Sequence, residues 1–196
     1  GRSATTRTGG DSRVPWASLN LGDHVGDDPA AVVRNRELLR DALELPGDPV
    51  WLQQVHGTAV VDAARAGSAV AADASWTRSP GIVCAVLTAD CLPVLFCNRA
   101  GTHVAAAHAG WRGLAAGVLE AALAAMHTPA ERVVAWLGPA AGPLAYEIGE
   151  EVYRAFVDRD PASVAAFAAT RPGHWRVDLY ALARMRLAQA GVARVH

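Results

Sequence analysis

Residues 88–114, TADCLPVLFCNRAGTHVAAAHAGWRGL, carry the pattern that decides the fold. Two apolar and β-prone runs, residues 94–97 and 102–107, are separated by the sequence NRAG, whose composition is typical of a turn. From residue 113 to residue 126 the composition is that of a helix. This part of the chain is therefore predicted to form a strand, a turn, a second strand and a helix.

The same patterns predict the other elements. We expect further helices over residues 28–45, 150–157, 162–169 and 179–190, and further strands over residues 50–55, 58–61, 81–88 and 132–137. Asp28 and Pro29 supply an N-cap and a first-turn proline for the first helix, and Asp178 caps the last one. The run 81–88 is almost continuously apolar, so we expect its strand to be buried on both faces. Because strands and helices do not alternate strictly, the predicted fold class is α+β.

The length and composition fit one domain over residues 1–196, since a chain of 196 residues that is 52% hydrophobic can bury a sizeable core. No apolar run approaches the ~20 residues that span a bilayer, and the amino terminus lacks the pattern of a signal peptide. We therefore expect a cytoplasmic protein without membrane contact, and a monomer rather than an obligate oligomer.

The cysteines and the basic residues exclude several functions. Cys84, Cys91 and Cys97 are odd in number and lack CxxC spacing, so they fit reduced thiols better than disulfides, and we expect Cys84 and Cys97 to be small core residues. All 18 basic residues are arginine, which excludes a Schiff-base lysine and a phosphate loop of the GK[ST] type. The arginines are scattered and the net charge is −1, so nothing indicates a nucleic-acid partner.

Three side chains that can bind a metal follow predicted strands. His56 follows the strand 50–55, Cys91 lies just after 81–88, and His108 comes directly after 102–107. Two imidazoles and one thiolate suit zinc, and three protein ligands leave the fourth tetrahedral position for water or substrate. The spacing matches no local ligand motif, so from chemistry alone these residues could equally be packed or solvated.

Six segments of the sequence resemble the laccase-domain family, which is also called YfiH-like or polyphenol-oxidase-like. The segments are WLQQVHG (51–57), TADCLPVLF (88–96), HAGWRGL (108–114), TTRTGG (5–10), SLNLGDHVGDDP (18–29) and WLGPAAGP (136–143). The resemblance implies layered α/β/β/α packing with mixed sheets and a site at strand ends. It also implies a zinc ion held by His56, Cys91 and His108. The chain ends at ARVH, short of the aromatic-arginine ending usual in the family, and the first family strand is short, so we expect short segments to be absent at both ends.

Members of this family are described as purine nucleoside phosphorylases that also act on methylthioadenosine and deaminate adenosine. The resemblance thus implies a purine nucleoside and phosphate as substrates. Some members are linked instead to editing of peptidoglycan precursors, and the family name records a claim of copper-dependent phenol oxidation.

Three further residues are candidates at such a site. Asp90 adjoins Cys91 and can orient a ligand or exchange protons, or it can simply cap a turn. Arg112 stands at the start of a predicted helix and can bind phosphate, or it can form a surface ion pair. Arg7, in the TTR segment, is a second candidate for binding phosphate or substrate.

Other functions stay open at this point. In a metal-free hydrolase or amidase, a histidine would activate Cys91 as the nucleophile. In a binding protein with structural zinc, Asp90 or His24 would supply a fourth ligand. A copper oxidase fits less well, because Met126 and Met185 are remote in sequence from the three ligand segments.

Overall fold

The computed structural model describes residues 1–67 and 69–196. Its helices and strands are, in chain order, α1 (Pro29–Ala42), β1 (Pro49–Val50), β2 (Val60–Asp62), β3 (Ala74–Thr77), β4 (Val83–Cys84), β5 (Leu92–Asn98), β6 (Val104–Ala109), α2 (Trp111–Ala116), α3 (Val118–Ala125), β7 (Val133–Leu137), β8 (Glu147–Gly149), α4 (Glu150–Val157), β9 (Phe167–Arg171), β10 (His174–Val177), α5 (Leu179–Gln189) and β11 (Arg194–Val195). The strands form mixed and antiparallel sheets together with helices, which confirms the α+β class. None of the helices described is long and apolar enough to cross a membrane.

Contacts within the chain divide it into two groups of residues, Gly1–Pro49 with Gly81–Val83, and Val50–Pro80 with Cys84–His196. A single domain over residues 1–196 therefore stays a prediction.

The first group is built around α1. Asp28 caps this helix by accepting a hydrogen bond from the Ala30 backbone N–H, as predicted, but the helix ends at Ala42 rather than at residue 45. Asn35 is fully buried on α1, and its side chain forms hydrogen bonds with the loop before the helix. Its amide donates to the Ser12 hydroxyl at 2.8 Å and to the Asn20 carbonyl at 2.8 Å, while its oxygen accepts from the backbone of this loop.

The second group contains a six-stranded sheet in the order β11-β7-β5-β6-β3-β2. Its central strands β7, β5, β6 and β3 are antiparallel, and the outer pairs β11-β7 and β2-β3 are parallel. Alternate residues of β5, Leu92, Val94 and Phe96, are buried in a core that also includes residues of α3 and α5. This alternation is the period of two expected for a strand with one buried face. A separate antiparallel sheet has the order β8-β10-β9.

The predicted strand over residues 81–88 is mostly wrong. Only β4 is a strand there, and residues 82–87 are half-buried instead of enclosed on both faces. The backbone of Leu87 is bonded to the side-chain amide of Gln54, which takes the place of a neighbouring strand. A continuous apolar run shows that a segment is apolar but does not show which groups bond its backbone.

Two helices and one cysteine also differ from expectation. Residues 162–169 form the end of a 3-10 helix, Pro161–Ala166, and the start of β9, because pairing with β10 overrides the helical preference of their alanines. The predicted helix over 113–126 begins at Trp111 and is interrupted at Gly117, whose φ of 108° belongs to the left-handed region. Cys97 is exposed and is not a core residue.

Candidate metal centre

The structure brings together the three predicted ligands His56, Cys91 and His108. One ligand atom from each lies within 4.8 Å of the others, and His56 Nε2 is 4.0 Å from Cys91 Sγ. Zinc with bonds of about 2.0 Å to nitrogen and about 2.3 Å to sulfur would hold such atoms about 3.5 Å apart. Small side-chain movements would therefore close this group around an ion.

Two of the ligands are placed by one pair of antiparallel strands. Cys91 immediately precedes β5, and His108 is the residue before the last of β6. Pro93 pairs with His108 in the ladder, so the start of β5 lies beside the end of β6. Both residues therefore lie at strand ends, as predicted, and their role as metal ligands stays a prediction.

His56 is placed by a turn. Its backbone has a φ of 61°, in the left-handed region that residues other than glycine rarely adopt. The preceding Gln54 donates its side-chain amide to the carbonyl of Leu87 and accepts from the Leu87 N–H, both at 2.7 Å. This pair of hydrogen bonds ties the chain before His56 to the segment that leads to Cys91.

Asp73 links this turn to His108, and sequence reasoning missed it. The residue is fully buried. Its carboxylate lies 2.9 Å from Nδ1 of His108 and accepts hydrogen bonds from the backbone N–H groups of Val55, His56 and Gly57. The available signal was a lone carboxylate in the apolar sequence AVAADAS, because a buried acid requires polar partners.

Gly110 leaves the space that the three ligands need. A Cβ at this position would lie 2.9 Å from His56 Cδ2, 3.0 Å from Cys91 Sγ and 3.6 Å from His108 Cε1. These are the nearest atoms to that point, so a side chain here would fill the cradle between the ligands. The space and the set of two nitrogen donors and one sulfur donor both fit a zinc ion.

The electrostatic surroundings suit ligation. Burial lowers the pKa of His108, although its hydrogen bond to Asp73 acts in the opposite direction, and the lowered pKa favours the neutral ring that a metal binds. Burial raises the pKa of the Cys91 thiol, and the negative charges of Asp90 and Asp73 raise it further. A bound cation would favour the thiolate and oppose all three effects.

The other predicted site residues do not join this group. Asp90 is exposed, and its backbone carbonyl accepts a hydrogen bond from the Ala141 N–H at 3.0 Å. Arg112 is exposed as well, and its guanidinium carbon lies 4.3 Å from the centroid of the Trp111 ring. Arg7 belongs to the first group of residues, where its Nε and Nη2 both donate to the carbonyl of Ala17. Their functional roles stay predictions.

Asp90 and His24, the two candidates for a fourth ligand, also lie outside the group of three. Among the described residues, the group of histidine, cysteine and acidic side chains that could hold a metal contains neither Asp90 nor His24. His24 lies in the first group of residues, 3.6 Å from a carboxylate oxygen of Asp23.

Tyr146 is a second residue that sequence reasoning missed. It is half-buried, and burial raises the pKa of its phenol. The charges of Cys91 and Asp90 raise this pKa further, whereas the charge of Arg112 lowers it. The loop before it, residues 138–145, begins with a hydrogen bond from the Gly138 N–H to the carbonyl of Pro93. Tyr146 therefore shares the electrostatic environment of the ligand Cys91.

Fold and site together define an α+β protein with a candidate metal centre of two imidazoles and one thiolate. The chain belongs to the laccase-domain family, since the family model described as multi-copper polyphenol oxidoreductase laccase matches residues 2–196.

Named relatives and solved structures agree with this membership. A protein of Pseudomonas aeruginosa named purine nucleoside phosphorylase is 53% identical over 193 residues, which cover 98% of this chain and 78% of the relative. Purine nucleoside phosphorylase YfiH of Escherichia coli is 53% identical over 193 residues, which cover 98% of this chain and 79% of the relative. A crystal structure of a Neisseria meningitidis protein superposes with a TM-score of 0.94 at 52% identity, covering 97% of this chain and 78% of that one.

Proposed function

We propose that this protein is a zinc-dependent purine nucleoside phosphorylase that acts on adenosine and inosine, with methylthioadenosine as a further substrate. One observation carries the proposal. His56, Cys91 and His108 converge within 4.8 Å in a chain whose relatives at 53% identity are named purine nucleoside phosphorylase. Adenosine deamination at the same centre is a second proposed reaction.

Phosphorolysis sets clear requirements for the site. A phosphate oxygen forms a bond to C1′ of the ribose while the bond between C1′ and the purine nitrogen breaks. The electron pair of that bond leaves with the purine, which takes up a proton, and the products are free base and ribose 1-phosphate. The site must therefore hold an anion, orient the nucleoside and deliver a proton to the departing base.

The chain offers groups for each task. Arg112 can bind phosphate, since its guanidinium is exposed and can form charge-assisted hydrogen bonds with phosphate oxygens. Asp90 and Tyr146 are the proton-exchanging groups that we assign to the leaving purine, because the charge of Asp90 raises the pKa of the Cys91 thiol and the charge of Cys91 raises the pKa of the Tyr146 phenol. When bound, zinc supplies a Lewis acid that polarises a substrate atom or a water molecule. Arg7 is a second proposed phosphate or substrate ligand, and two of its donors already bind the carbonyl of Ala17.

A metal-free cysteine hydrolase receives less support. A nucleophilic cysteine needs a lowered pKa, whereas burial and two neighbouring carboxylates raise the pKa of Cys91.

A copper-dependent phenol oxidase also receives less support from the donor set. Electron-transfer copper commonly takes an axial methionine, whereas Met126 is fully buried in the hydrophobic core.

The free cysteines Cys84, Cys91 and Cys97 are compatible with a reducing compartment, and we propose a cytoplasmic location.

The decisive experiment incubates the purified protein with a panel of nucleosides, with and without inorganic phosphate. Release of free base and ribose 1-phosphate only when phosphate is present would support the proposal. Equal release of base and free ribose without phosphate would show a hydrolase instead. Formation of inosine from adenosine in the same samples reports the deaminase reaction separately.

A further inference from the structure

We propose that Asp73 is a positioning residue that organises the metal centre before an ion binds, by fixing the ring of His108 and the backbone turn of His56 with one carboxylate. This inference rests on the proposed metal site but not on the identity of the reaction. Asp73 does not belong to the ligand group itself.

The two carboxylate oxygens receive four donors. Oδ1 lies 2.9 Å from the backbone nitrogen of His56 and 2.9 Å from Nδ1 of His108. Oδ2 lies 2.6 Å from the backbone nitrogen of Gly57 and 3.2 Å from that of Val55. Because Asp73 is fully buried, its carboxylate has no water to bond and these four donors are the groups that satisfy it.

The first consequence concerns the tautomer of His108. A carboxylate oxygen can only accept, so the contact at 2.9 Å requires a proton on Nδ1 of the neutral ring. Nε2 is then free of a proton and keeps the lone pair that a metal ligand needs. The carbonyl of Asp73 also accepts from the His108 N–H at 2.7 Å, so both the backbone and the ring of this histidine are held.

The second consequence concerns the turn. His56 has a φ of 61°, a conformation that is unfavourable for a residue with a side chain. Three successive N–H groups, those of Val55, His56 and Gly57, converge on the Asp73 carboxylate only while the chain is bent in this way. Asp73 therefore stabilises the turn that keeps His56 Nε2 4.0 Å from Cys91 Sγ.

Asparagine cannot substitute for this carboxylate. It has one oxygen and an NH₂ group that only donates, so in either orientation two of the four donors face another donor. If the NH₂ group faces His108, the ring is driven toward the tautomer with its proton on Nε2. If the NH₂ group faces Val55 and Gly57, the turn that carries His56 loses two of its three hydrogen bonds.

The test compares zinc affinity by chelator competition in wild type, Asp73→Asn and Asp73→Ala, with Thr77→Val as the matched control. Thr77 is buried at the end of β3 and its hydroxyl accepts a hydrogen bond from the Ser79 N–H, so its loss perturbs the same region without touching a ligand. We expect both Asp73 variants to bind zinc roughly 10- to 100-fold more weakly. Thr77→Val should keep wild-type zinc affinity even if its melting temperature falls. Wild-type affinity in a folded Asp73→Asn protein would overturn the proposal.

Nitrogen-15 NMR of the histidine rings in metal-free wild type supplies a readout that needs no variant to fold. The neutral His108 ring should carry its proton on Nδ1, and a ring protonated on Nε2 would overturn the proposal. Neither measurement uses a nucleoside. A protein that passes both tests but fails to cleave nucleosides would retain Asp73 as a positioning residue and remove only the phosphorylase reaction.

Discussion

The backbone of Gly110 faces the ring of His56 so closely that a Cβ at position 110 would lie 2.9 Å from His56 Cδ2. Real Cβ atoms essentially never approach another heavy atom this closely, so one of the two groups would have to move. The opposing group is the ring of a proposed ligand whose backbone is held in a tight turn by Asp73. This contact makes the absence of a side chain at Gly110 a condition of the proposed metal site.

Gly110→Ala is therefore expected to lower zinc affinity while the protein stays folded. The added methyl group would displace His56 and Cys91, whereas the hydrophobic core of β5 and α3 is not touched. Zinc content after dialysis and circular dichroism measure the two effects. Gly149→Ala is the matched control, because nothing lies within 4 Å of its added Cβ and its φ of −91° suits alanine. A Gly110→Ala protein with a full complement of zinc would contradict this description of the site.

Cys91→Ala should lose zinc, since it removes the sulfur donor of the ligand group. Cys97→Ala, an exposed cysteine on β5, should keep about one zinc per chain, which elemental analysis of the purified proteins would measure. The opposite pattern would mean that the wrong cysteine has been assigned to the metal.

Arg112→Ala should raise the KM for phosphate and leave the zinc content unchanged. A hydrogen bond to a charged group contributes about 1.5–3 kcal/mol, which corresponds to a rise of roughly 10- to 100-fold. Steady-state kinetics at varied phosphate concentration measure the change. Arg99→Ala, an exposed arginine in the turn between β5 and β6, is the control and should behave as wild type. If Arg112→Ala instead lost zinc at unchanged phosphate KM, Arg112 would support the site without binding substrate.

The stability of the protein should fall with rising pH above about 9, in part through Cys84. Burial raises the pKa of its thiol from 9.0 to about 11, so between these values the folded chain keeps a proton that the unfolded chain releases. The stabilisation is then fully present below pH 9 and is lost as the pH rises toward 11. Urea unfolding from pH 8 to pH 10.5 should show a shallower fall for Cys84→Ala than for wild type. Cys97→Ala should follow the wild-type profile, and identical slopes in all three proteins would rule out this contribution.

The three proposed ligands were named by the family resemblance, since their donor types suit zinc but their spacing matches no local motif. Cys91 and His108 do lie at strand ends, whereas the strand expected before His56 is replaced by a turn. His108 and Cys91 could be joined in this way, since the hairpin that relates them is local and its turn is visible in the sequence. Asp90 was singled out because it adjoins Cys91, and Arg112 because it stands at the start of a predicted helix; their contacts leave their roles to experiment.

Asp73 could not be paired with His108 from the sequence, because the contact joins residues 35 positions apart across β3 and β6. The same limit explains the helix expected over residues 162–169. Alanine favours a helix locally, but the antiparallel partner in β10 decides the structure of β9. Hydrogen bonds between distant segments leave little trace in local composition, whereas a turn, a cap or an alternating strand does.

The pairing of Pro93 with His108 also limits how the length of β5 and β6 can change, because odd and even numbers of inserted residues have different effects. Side chains on a strand alternate between the two faces of a sheet, so one residue inserted between Leu92 and Asn98, or between Val104 and His108, would reverse the face of a ligand. Two inserted residues would return the ligand to its original face but shift it along the strand by one two-residue repeat. Length can vary without this penalty only in the turn at residues 99–103, outside both strands, and natural or engineered variation of this hairpin should be confined there.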